Sequence, residues 1–399
     1  MPHETALIAT IAIGLAFALI GGYLAVRLNL PPLVGYLVAG IAVGPFTPGF
    51  VADPKLAPQL AEIGVMLLMF GVGMHFSLRD LLAVRAVALP GAIAQIVLPT
   101  ALGVVVALAW GWSPGAGLVF GLALSVASTV VLLRALEARG LLESSDGRIA
   151  VGWLIVEDLV IVLTLVLLPA LAGPLGGRAA EGAAPGNLWI TLAVTLGKIA
   201  LFAALMLGLG VRFFPWLLTK VEDTGSRELF TLAVVALALG VAFGSAKLFG
   251  VSFALGAFFA GMVINESDLS HRAATDTLPL QDAFTGLFFV AVGMLFDPEI
   301  LFEQPLKVLA VLAIIVAGKS LAALGIVLGL RYPLGTALTV SAALAQIGEF
   351  SFILAGLGMS LGLLPPEGNS LILAGAILSI TLNPLLFALV GRLRTAPPA

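Results

Sequence analysis

Residues 149–173 read IAVGWLIVEDLVIVLTLVLLPALAG, an apolar run whose only charged side chains are Glu157 and Asp158. As a helix, a run of this length extends about 37 Å at 1.5 Å per residue, which is enough to cross the hydrocarbon core of a bilayer. Each charge at membrane depth costs about 3 kcal/mol on insertion scales, so ordinary packing does not explain two adjacent acids. The stretch predicts a membrane helix that binds an ion or a proton.

A single lysine occupies a comparable position in a second apolar run. Lys319 lies 12 residues from Lys307 and 12 from Arg331, the charges that bound this run. At roughly 18 Å from each flank, its ammonium falls near the midplane of a bilayer. We therefore predict that Lys319 is the charge partner of the acid pair. The alternative is that the three charges only neutralise one another within the packed protein.

The two acids are not expected to share one role, because neighbouring side chains stand about 100° apart around a helix. One carboxylate can pair with Lys319 while the other faces a water-filled cavity. A carboxylate in such a cavity binds either a proton or a dehydrated monovalent cation, but not both at once. That competition is the basis of cation:proton exchange, and we assign it to Asp158, with Glu157 beside it in the site.

The composition restricts the class of protein. The chain of 399 residues is 60% hydrophobic and only 10% charged, so it is a polytopic membrane protein. It has no cysteine, which excludes disulfides and thiolate metal sites. The three histidines, His3, His75 and His271, do not cluster in one run, so a structural metal site is not expected. No cofactor, catalytic nucleophile arrangement, phosphate loop or nucleic-acid surface is predicted either.

Apolar runs between charged or turn-forming clusters predict an all-α fold of thirteen transmembrane segments. The chain forms a single transporter domain, 1–399, in which several segments are short or interrupted by Gly and Pro. The predicted segments are about 5–27, 32–45, 56–75, 86–110, 115–136, 149–173, 188–214, 228–246, 250–265, 279–296, 306–330, 335–361 and 369–391.

The distribution of basic residues predicts the orientation. If the loops are numbered alternately, 13 of the 19 lysines and arginines fall on one side and 4 on the other, with Lys198 and Lys319 inside segments. Cytoplasmic loops carry the excess of basic residues, so the N-terminus is predicted outside and the C-terminus in the cytoplasm.

Two parts of the chain resemble each other at a constant offset, which predicts an inverted repeat. Residues 62–76 (EIGVMLLMFGVGMHF) align with 282–296 (DAFTGLFFVAVGMLF) at an offset of 220, and 35–40 (GYLVAG) align with 256–261 (GAFFAG) at 221. Basic residues follow the first copy of the longer motif and acidic residues follow the second, so the copies end on opposite sides of the membrane. Segments 1–6, about 5–173, and 8–13, about 228–391, are the predicted repeats, with the binding site where they meet.

The same offset pairs two segments with polar centres. Residues 124–130 (LSVASTV) and 345–351 (AQIGEFS) interrupt apolar runs, and Ser128 and Glu349 differ by 221. Such paired interruptions predict crossing discontinuous helices that offer backbone carbonyls and helix termini to an ion. Ser128 and Thr129 are candidate cation ligands, the alternative being that their hydroxyls bond back to their own helix.

Three further acids are candidate ion-pathway residues. Glu349 lies within the second interruption, where it is either part of the pathway or a helix-end partner. Glu62 and Asp282 occupy corresponding positions of the repeat, near opposite ends of their segments.

At these residues the chain resembles the membrane domain of the cation:proton antiporter-2 family, in its Kef-type branch. The resemblance runs across nearly the whole chain and is carried by 128–140 (STVVLLRALEARG), 153–163 (WLIVEDLVIVL), 250–261 (GVSFALGAFFAG), 289–298 (FVAVGMLFDP) and 345–354 (AQIGEFSFIL).

The resemblance implies a sodium/proton-antiporter-like fold and a homodimer in the bacterial inner membrane. It also implies that a core around segments 5, 6, 12 and 13 moves against a dimerisation domain in an elevator motion. Asp158 matches the cation and proton carrier of the family, and Lys319 matches the lysine that bridges to the position of Glu157. Kef-type proteins usually carry a cytoplasmic nucleotide-binding regulatory domain, which this chain does not include.

Glu157 departs from the family pattern, which has Gln at this position in potassium efflux systems and Asp in electrogenic sodium antiporters. The resemblance favours K⁺ over Na⁺ as the cation exchanged for H⁺ by alternating access. Three alternatives stay open: a gated potassium efflux channel, a sodium-coupled solute symporter, and a membrane hydrolase or lipid transferase using Glu157 and Asp158 as acid and base. The short predicted loops argue against the last of these.

Overall fold

The structure is a computed structural model that describes residues 3–48, 56–75, 78–142, 144–178 and 188–395. The described residues form helices joined by short connections. The helices are α1 (His3–Arg27), α2 (Pro32–Val43), α3 (Ala57–His75), α4 (Leu78–Ala109), α5 (Pro114–Ser125), α6 (Thr129–Glu137), α7 (Ser145–Leu171), α8 (Leu188–Leu205), α9 (Val211–Glu222), α10 (Arg227–Gly244), α11 (Phe253–Asn265), α12 (Ser270–Met294), α13 (Ile300–Glu303), α14 (Pro305–Ala313), α15 (Lys319–Gly329), α16 (Leu334–Leu344), α17 (Glu349–Ser360) and α18 (Pro366–Thr395).

The all-helical class predicted from the sequence is confirmed, and each predicted segment coincides with one helix or a consecutive group of helices. Within the described ranges, nine helical spans are long and apolar enough to cross a membrane, and α16 with α17 forms a tenth that is bent by 43°. Three shorter apolar helices, Pro32–Val43, Gln59–Met74 and Phe253–Asn265, correspond to the remaining segments. That all thirteen cross a membrane stays a prediction.

The two interruptions read from the sequence are breaks in the helices. Helix α5 ends at Ser125, and Val126 is extended with φ −90° and ψ 131°. Ser128, also extended, is the N-cap of α6, and its Oγ accepts a 3.3 Å hydrogen bond from the backbone N–H of Val131. The second break, residues 345–348, separates α16 from α17. Both breaks free backbone groups that a continuous helix would satisfy internally.

The helices assemble into two bundles. One, which we call the site bundle, contains α4–α7 and α13–α18, and the other, the glycine bundle, contains α1–α3 and α10–α12. Helix α8 packs on α7 of the site bundle, and α9 packs on α10 and α11 of the glycine bundle. The two breaks therefore lie in the same bundle.

The glycine bundle contains a reciprocal pair of close contacts. A Cβ on Gly293 of α12 would stand 3.0 Å from the Cα of Gly40 on α2, and one on Gly73 of α3 would stand 3.0 Å from the backbone nitrogen of Met262 on α11. A Cβ on Gly261 would likewise meet the backbone nitrogen of Met74, at 2.9 Å. Small residues let helix backbones approach this closely. Gly293 and Gly73 differ by 220 residues and Gly40 and Gly261 by 221, so the contacts occupy corresponding positions of the two repeats. This correspondence supports the inverted repeat, which stays a prediction.

Candidate functional site

The two helix breaks contact each other directly. The side-chain amide of Gln346 pairs with the backbone of Ser128: Ser128 N–H donates to Gln346 Oε1 at 2.9 Å, and Gln346 Nε2 donates to the Ser128 carbonyl at 3.1 Å. The Ser128 hydroxyl donates to Glu349 Oε2 at 2.7 Å. Gly348 packs against the side chain of Ser128, where a larger residue would not fit. Ser128, Gln346 and Glu349 are each at most 1% exposed.

The two adjacent acids of α7 have different partners. Glu157 is fully buried, and its Oε2 accepts a 3.0 Å hydrogen bond from the backbone N–H of Ala127, which lies in the first break. Asp158 is 7% exposed, and its Oδ2 accepts a 3.1 Å hydrogen bond from Thr129 Oγ1. The second carboxylate oxygen of each acid, Glu157 Oε1 and Asp158 Oδ1, is buried without a hydrogen-bond partner. The first break is therefore held between both acids, and each acid keeps one free oxygen.

Lys319 is fully buried at the second break. Its Nζ donates a 2.9 Å hydrogen bond to the backbone carbonyl of Gln346, one of the groups that the break removes from a helix. No described carboxylate lies within ion-pair distance of this ammonium, although the charges of Lys319 and Glu157 are close enough to interact. The wider π-helical turn Ile314–Gly318 directly precedes the lysine. The partnership of Lys319 with Glu157 stays a prediction.

A cavity of about 240 Å³ lies between the two bundles beside Asp158. Since a water molecule occupies about 30 Å³ in the liquid, a space of this size holds several waters or a partly hydrated cation. The polar residues that line it are Thr129, Asp158 and Glu349 from the site bundle and Gln281 from the glycine bundle. Asp158 thus faces an internal space and not lipid. Glu349 Oε1, like Asp158 Oδ1, is buried without a hydrogen-bond partner.

A second cavity of about 510 Å³ lies further along the same pair of helices. Helix α12 runs from Gln281 at the first cavity to Met294 at the second, and α17 runs from Glu349 to Met359. The second cavity is also lined by Asp297, Glu303, Gln304, Glu367, Asn369 and Ser370.

An aromatic contact between the bundles lies between the two cavities. Phe289 of α12 and Phe352 of α17 meet edge to face, with ring centroids 6.1 Å apart and an angle of 88°. The two side chains are 1% and 5% exposed. Each ring lies along its helix between the residues that line the two cavities.

Most of the residues predicted from the sequence are brought together, and two are not. Six of the predicted residues lie at the helix crossing: Ser128, Thr129, Glu157, Asp158, Lys319 and Glu349. Glu62 and Asp282 are exposed on α3 and α12 and do not join this cluster. Among the described residues, no group of three or more His, Asp or Glu side chains stands close enough to hold a resident metal ion.

Four residues at or near the site were not predicted from the sequence: Gln346, Gln281, Phe289 and Phe352. Gln346 is a polar residue inside the AQIGEF interruption, so its position was a usable signal. Gln281 and the Phe289–Phe352 pair gave none, because one polar and two aromatic side chains in apolar helices do not reveal which cavity or neighbour they meet.

Discontinuous helices that cross beside buried acids, at an interface between bundles, are the arrangement of an ion-coupled secondary transporter. The family model described as "Sodium/hydrogen exchanger, transmembrane" matches residues 15–391. The chain belongs to this family of multi-pass membrane proteins, which confirms the resemblance to cation:proton antiporters found in the sequence.

Similar proteins carry related descriptions. The "Putative cation/proton antiporter YbaL" of Escherichia coli (strain K12) is 64% identical over 392 residues, covering 98% of this chain and 70% of that protein. The "K(+) efflux antiporter 4" of Arabidopsis thaliana is 33% identical over 386 residues, covering 96% of this chain and 64% of the plant protein. The chain thus spans less than two thirds of the plant relative. These relatives are transporters by description, not enzymes.

Among solved structures, the sodium proton antiporter MjNhaP1 of Methanocaldococcus jannaschii has the same fold. It superposes with a TM-score of 0.67 over 98% of this chain and 99% of that one, at 16% sequence identity. At this identity the similarity concerns the fold alone.

Proposed function

We propose that this protein exchanges a monovalent cation for H⁺ by alternating access, with Asp158 binding either the cation or the proton. The observation that carries the proposal is that Asp158 lines a cavity between two bundles and that its Oδ1 is buried without a hydrogen-bond partner. A buried carboxylate without compensation is costly, so this oxygen needs a proton or a cation. Occupancy by one excludes the other, and this couples the two flows.

The break beside Asp158 supplies the remaining ligands. Thr129 offers its hydroxyl, which already contacts Asp158, and the extended backbone before α6 offers carbonyls. Oxygen ligands of this kind suit alkali cations, which are bound by charge and by replacement of hydration water. K⁺ is favoured over Na⁺ because relatives that share a third of the sequence are described as K⁺ efflux antiporters.

Alternating access would come from movement of the site bundle against the glycine bundle. Both cavities lie at the interface between the bundles, and the Phe289–Phe352 contact stands between them. Displacement of α17 along α12 would bring Asp158 from one cavity to the other. We further propose a homodimer in the bacterial inner membrane, with the N-terminus outside and the C-terminus in the cytoplasm.

Proteoliposomes containing the purified chain test this function. An imposed proton gradient should drive K⁺ accumulation against its own gradient, and an imposed K⁺ gradient should move protons. As the pH rises, the apparent KM for K⁺ should fall, because fewer protons compete for Asp158. Flux that ignores the proton gradient would favour a channel, and substrate-dependent Na⁺ uptake would favour a symporter.

A further inference from the structure

We propose that Glu349 is the second carboxylate of the cation site and carries a resident negative charge while Asp158 alone exchanges its proton. This inference rests on the proposed function and deepens it. The sequence pairs Glu157 with Asp158 because they are adjacent. In the structure, it is Glu349 that shares the cavity with Asp158.

The free oxygens define the site. Glu349 is 1% exposed and its Oε1 has no hydrogen-bond partner, as is the case for Asp158 Oδ1. Both residues line the same cavity, whereas Glu157 does not. Two buried carboxylates that line one cavity, each with one oxygen that makes no hydrogen bond, can together bind a cation.

The second oxygen of Glu349 is fixed by groups that favour a negative charge. Oε2 accepts the 2.7 Å hydrogen bond from the Ser128 hydroxyl. Glu349 is the first residue of α17, and its carboxylate also lies near the backbone amides of Thr129 and Val130, which begin α6. The amides and dipole at a helix N-terminus stabilise an anion, and here two N-termini converge on one carboxylate. These groups favour the charged form of Glu349 and oppose the cost of burying it.

Asp158 is held differently. Its one hydrogen bond, from the hydroxyl of Thr129, is compatible with either protonation state, because the hydroxyl can donate to a carboxylate or accept from a carboxylic acid. The cation would lie between Asp158 Oδ1 and Glu349 Oε1. When the cation leaves, a proton takes its place on Asp158, and one positive charge replaces another.

A one-to-one exchange follows from this division of roles. In this arrangement Glu349 would contribute the same negative charge in the cation-loaded and proton-loaded states, and Lys319, which donates to the Gln346 carbonyl, would stay protonated in both. The site then carries the same net charge whichever ion it holds. We expect electroneutral transport of one monovalent cation for one proton.

The test is Glu349→Gln in the full chain in proteoliposomes, with K⁺ as the probe. The amide keeps the size of the side chain and an acceptor for the Ser128 hydroxyl but removes the charge. The apparent KM for K⁺ should rise at least tenfold, and the pH at which protons begin to compete should fall, because Asp158 no longer has a negative neighbour. The matched control is Glu137→Gln, an exposed acid on α6, which should change neither value.

The outcomes separate this inference from the proposed function. If Asp158→Asn retains exchange, the function itself fails. If Asp158→Asn is inactive but Glu349→Gln has the wild-type KM and pH dependence, the function stands and the second carboxylate is refuted. Should Glu349→Gln fail to fold, Glu349→Asp replaces it: this shorter carboxylate should also raise the KM for K⁺, and a wild-type value would overturn the inference. A transport current with the wild-type protein would refute one-to-one exchange.

Discussion

The hydroxyl of Ser128 donates a 2.7 Å hydrogen bond to the carboxylate of Glu349, across 221 residues of sequence. This bond joins the two helix breaks at corresponding positions of the predicted repeat. It is reinforced by the Gln346 amide, which satisfies both backbone groups of Ser128. Both backbone groups of Ser128 are thus satisfied by a side chain of the other break, so they are not left unpaired at membrane depth.

Replacement of the two adjacent acids should have unequal effects. Asp158→Asn removes the group that we propose binds the cation or the proton, so exchange in proteoliposomes should be abolished. Glu157→Gln keeps an oxygen that can accept from the Ala127 N–H, so exchange should persist. Its rate should stay within about tenfold of wild type, because a neutral hydrogen bond is weaker than one to a charged group by about 1 kcal/mol, and 1.4 kcal/mol is roughly tenfold. Wild-type exchange rates for Asp158→Asn would contradict the assignment of the carrier.

The aromatic contact between the bundles should limit leakage. Phe352→Ala removes the ring that meets Phe289 and joins the cavities on either side, so protons should cross without K⁺. Truncation of a buried Phe costs about 3–5 kcal/mol, so the variant should also unfold at lower temperature. Phe352→Leu is the milder substitution and should show a smaller leak.

Proton leak is measured as dissipation of an imposed pH gradient in K⁺-free vesicles. Phe302→Ala serves as the control, because this ring is 85% exposed and contacts neither cavity. If Phe352→Ala vesicles stay as tight as those of the control, the contact does not separate the cavities.

The helix crossing should not tolerate a side chain at Gly348. A Cβ there overlaps the side chain of Ser128, so Gly348→Ala should separate the two breaks and destabilise the protein by about 1–3 kcal/mol, as overpacking does. The measurement is thermal unfolding in detergent. Gly356→Ala is matched within the same helix, because its Cβ meets open space, and the gain in helix propensity should leave stability unchanged or increased by up to about 1 kcal/mol. Equal effects of the two substitutions would rule out the tight crossing.

The charge partnership of Lys319 can be measured by a double-mutant cycle. Lys319→Met removes the donor to the Gln346 carbonyl and the positive charge near Glu157, so it should lower the unfolding temperature. If the two charges stabilise each other, Glu157→Gln should cost less in a Lys319→Met background, with a coupling energy of about 0.5–3 kcal/mol. Strict additivity would show that the lysine serves the Gln346 carbonyl alone.

The positions of the helices could be predicted from the sequence, because they depend on hydrophobicity summed over many residues. Apolar runs located the helices, and polar residues within two of them located both breaks. The constant offset also paired Ser128 with Glu349 before any contact was known. These features survive small errors in boundaries, since each depends on many residues or on an unusual residue in an apolar background.

The partners within the site were not readable in the same way. Side-chain directions follow helical periodicity only where the backbone is helical, and residues 126–128 and 345–348 are not. The charge partnership of Lys319 with Glu157 stays a prediction, but the hydrogen bond from its ammonium to the Gln346 carbonyl could not be predicted, because that carbonyl is a free group only where α16 ends. Likewise, adjacency suggested Glu157 as the companion of Asp158, whereas the chain crossing brings Glu349 to the cavity.

The charged and polar residues at the helix crossing all belong to the site bundle: Ser128, Glu157, Asp158, Lys319, Gln346 and Glu349. The wall of the cavity that the glycine bundle forms is mainly apolar. A displacement of the site bundle would carry the ion together with its compensating charges and donors. No oppositely charged groups would have to separate during this movement. The electrostatic barrier to the movement would therefore depend on whether a cation or a proton is bound at Asp158. The bundle would move most slowly when Asp158 is ionised and holds neither ion. Slow movement of this form would limit conformational cycles in which nothing is exchanged.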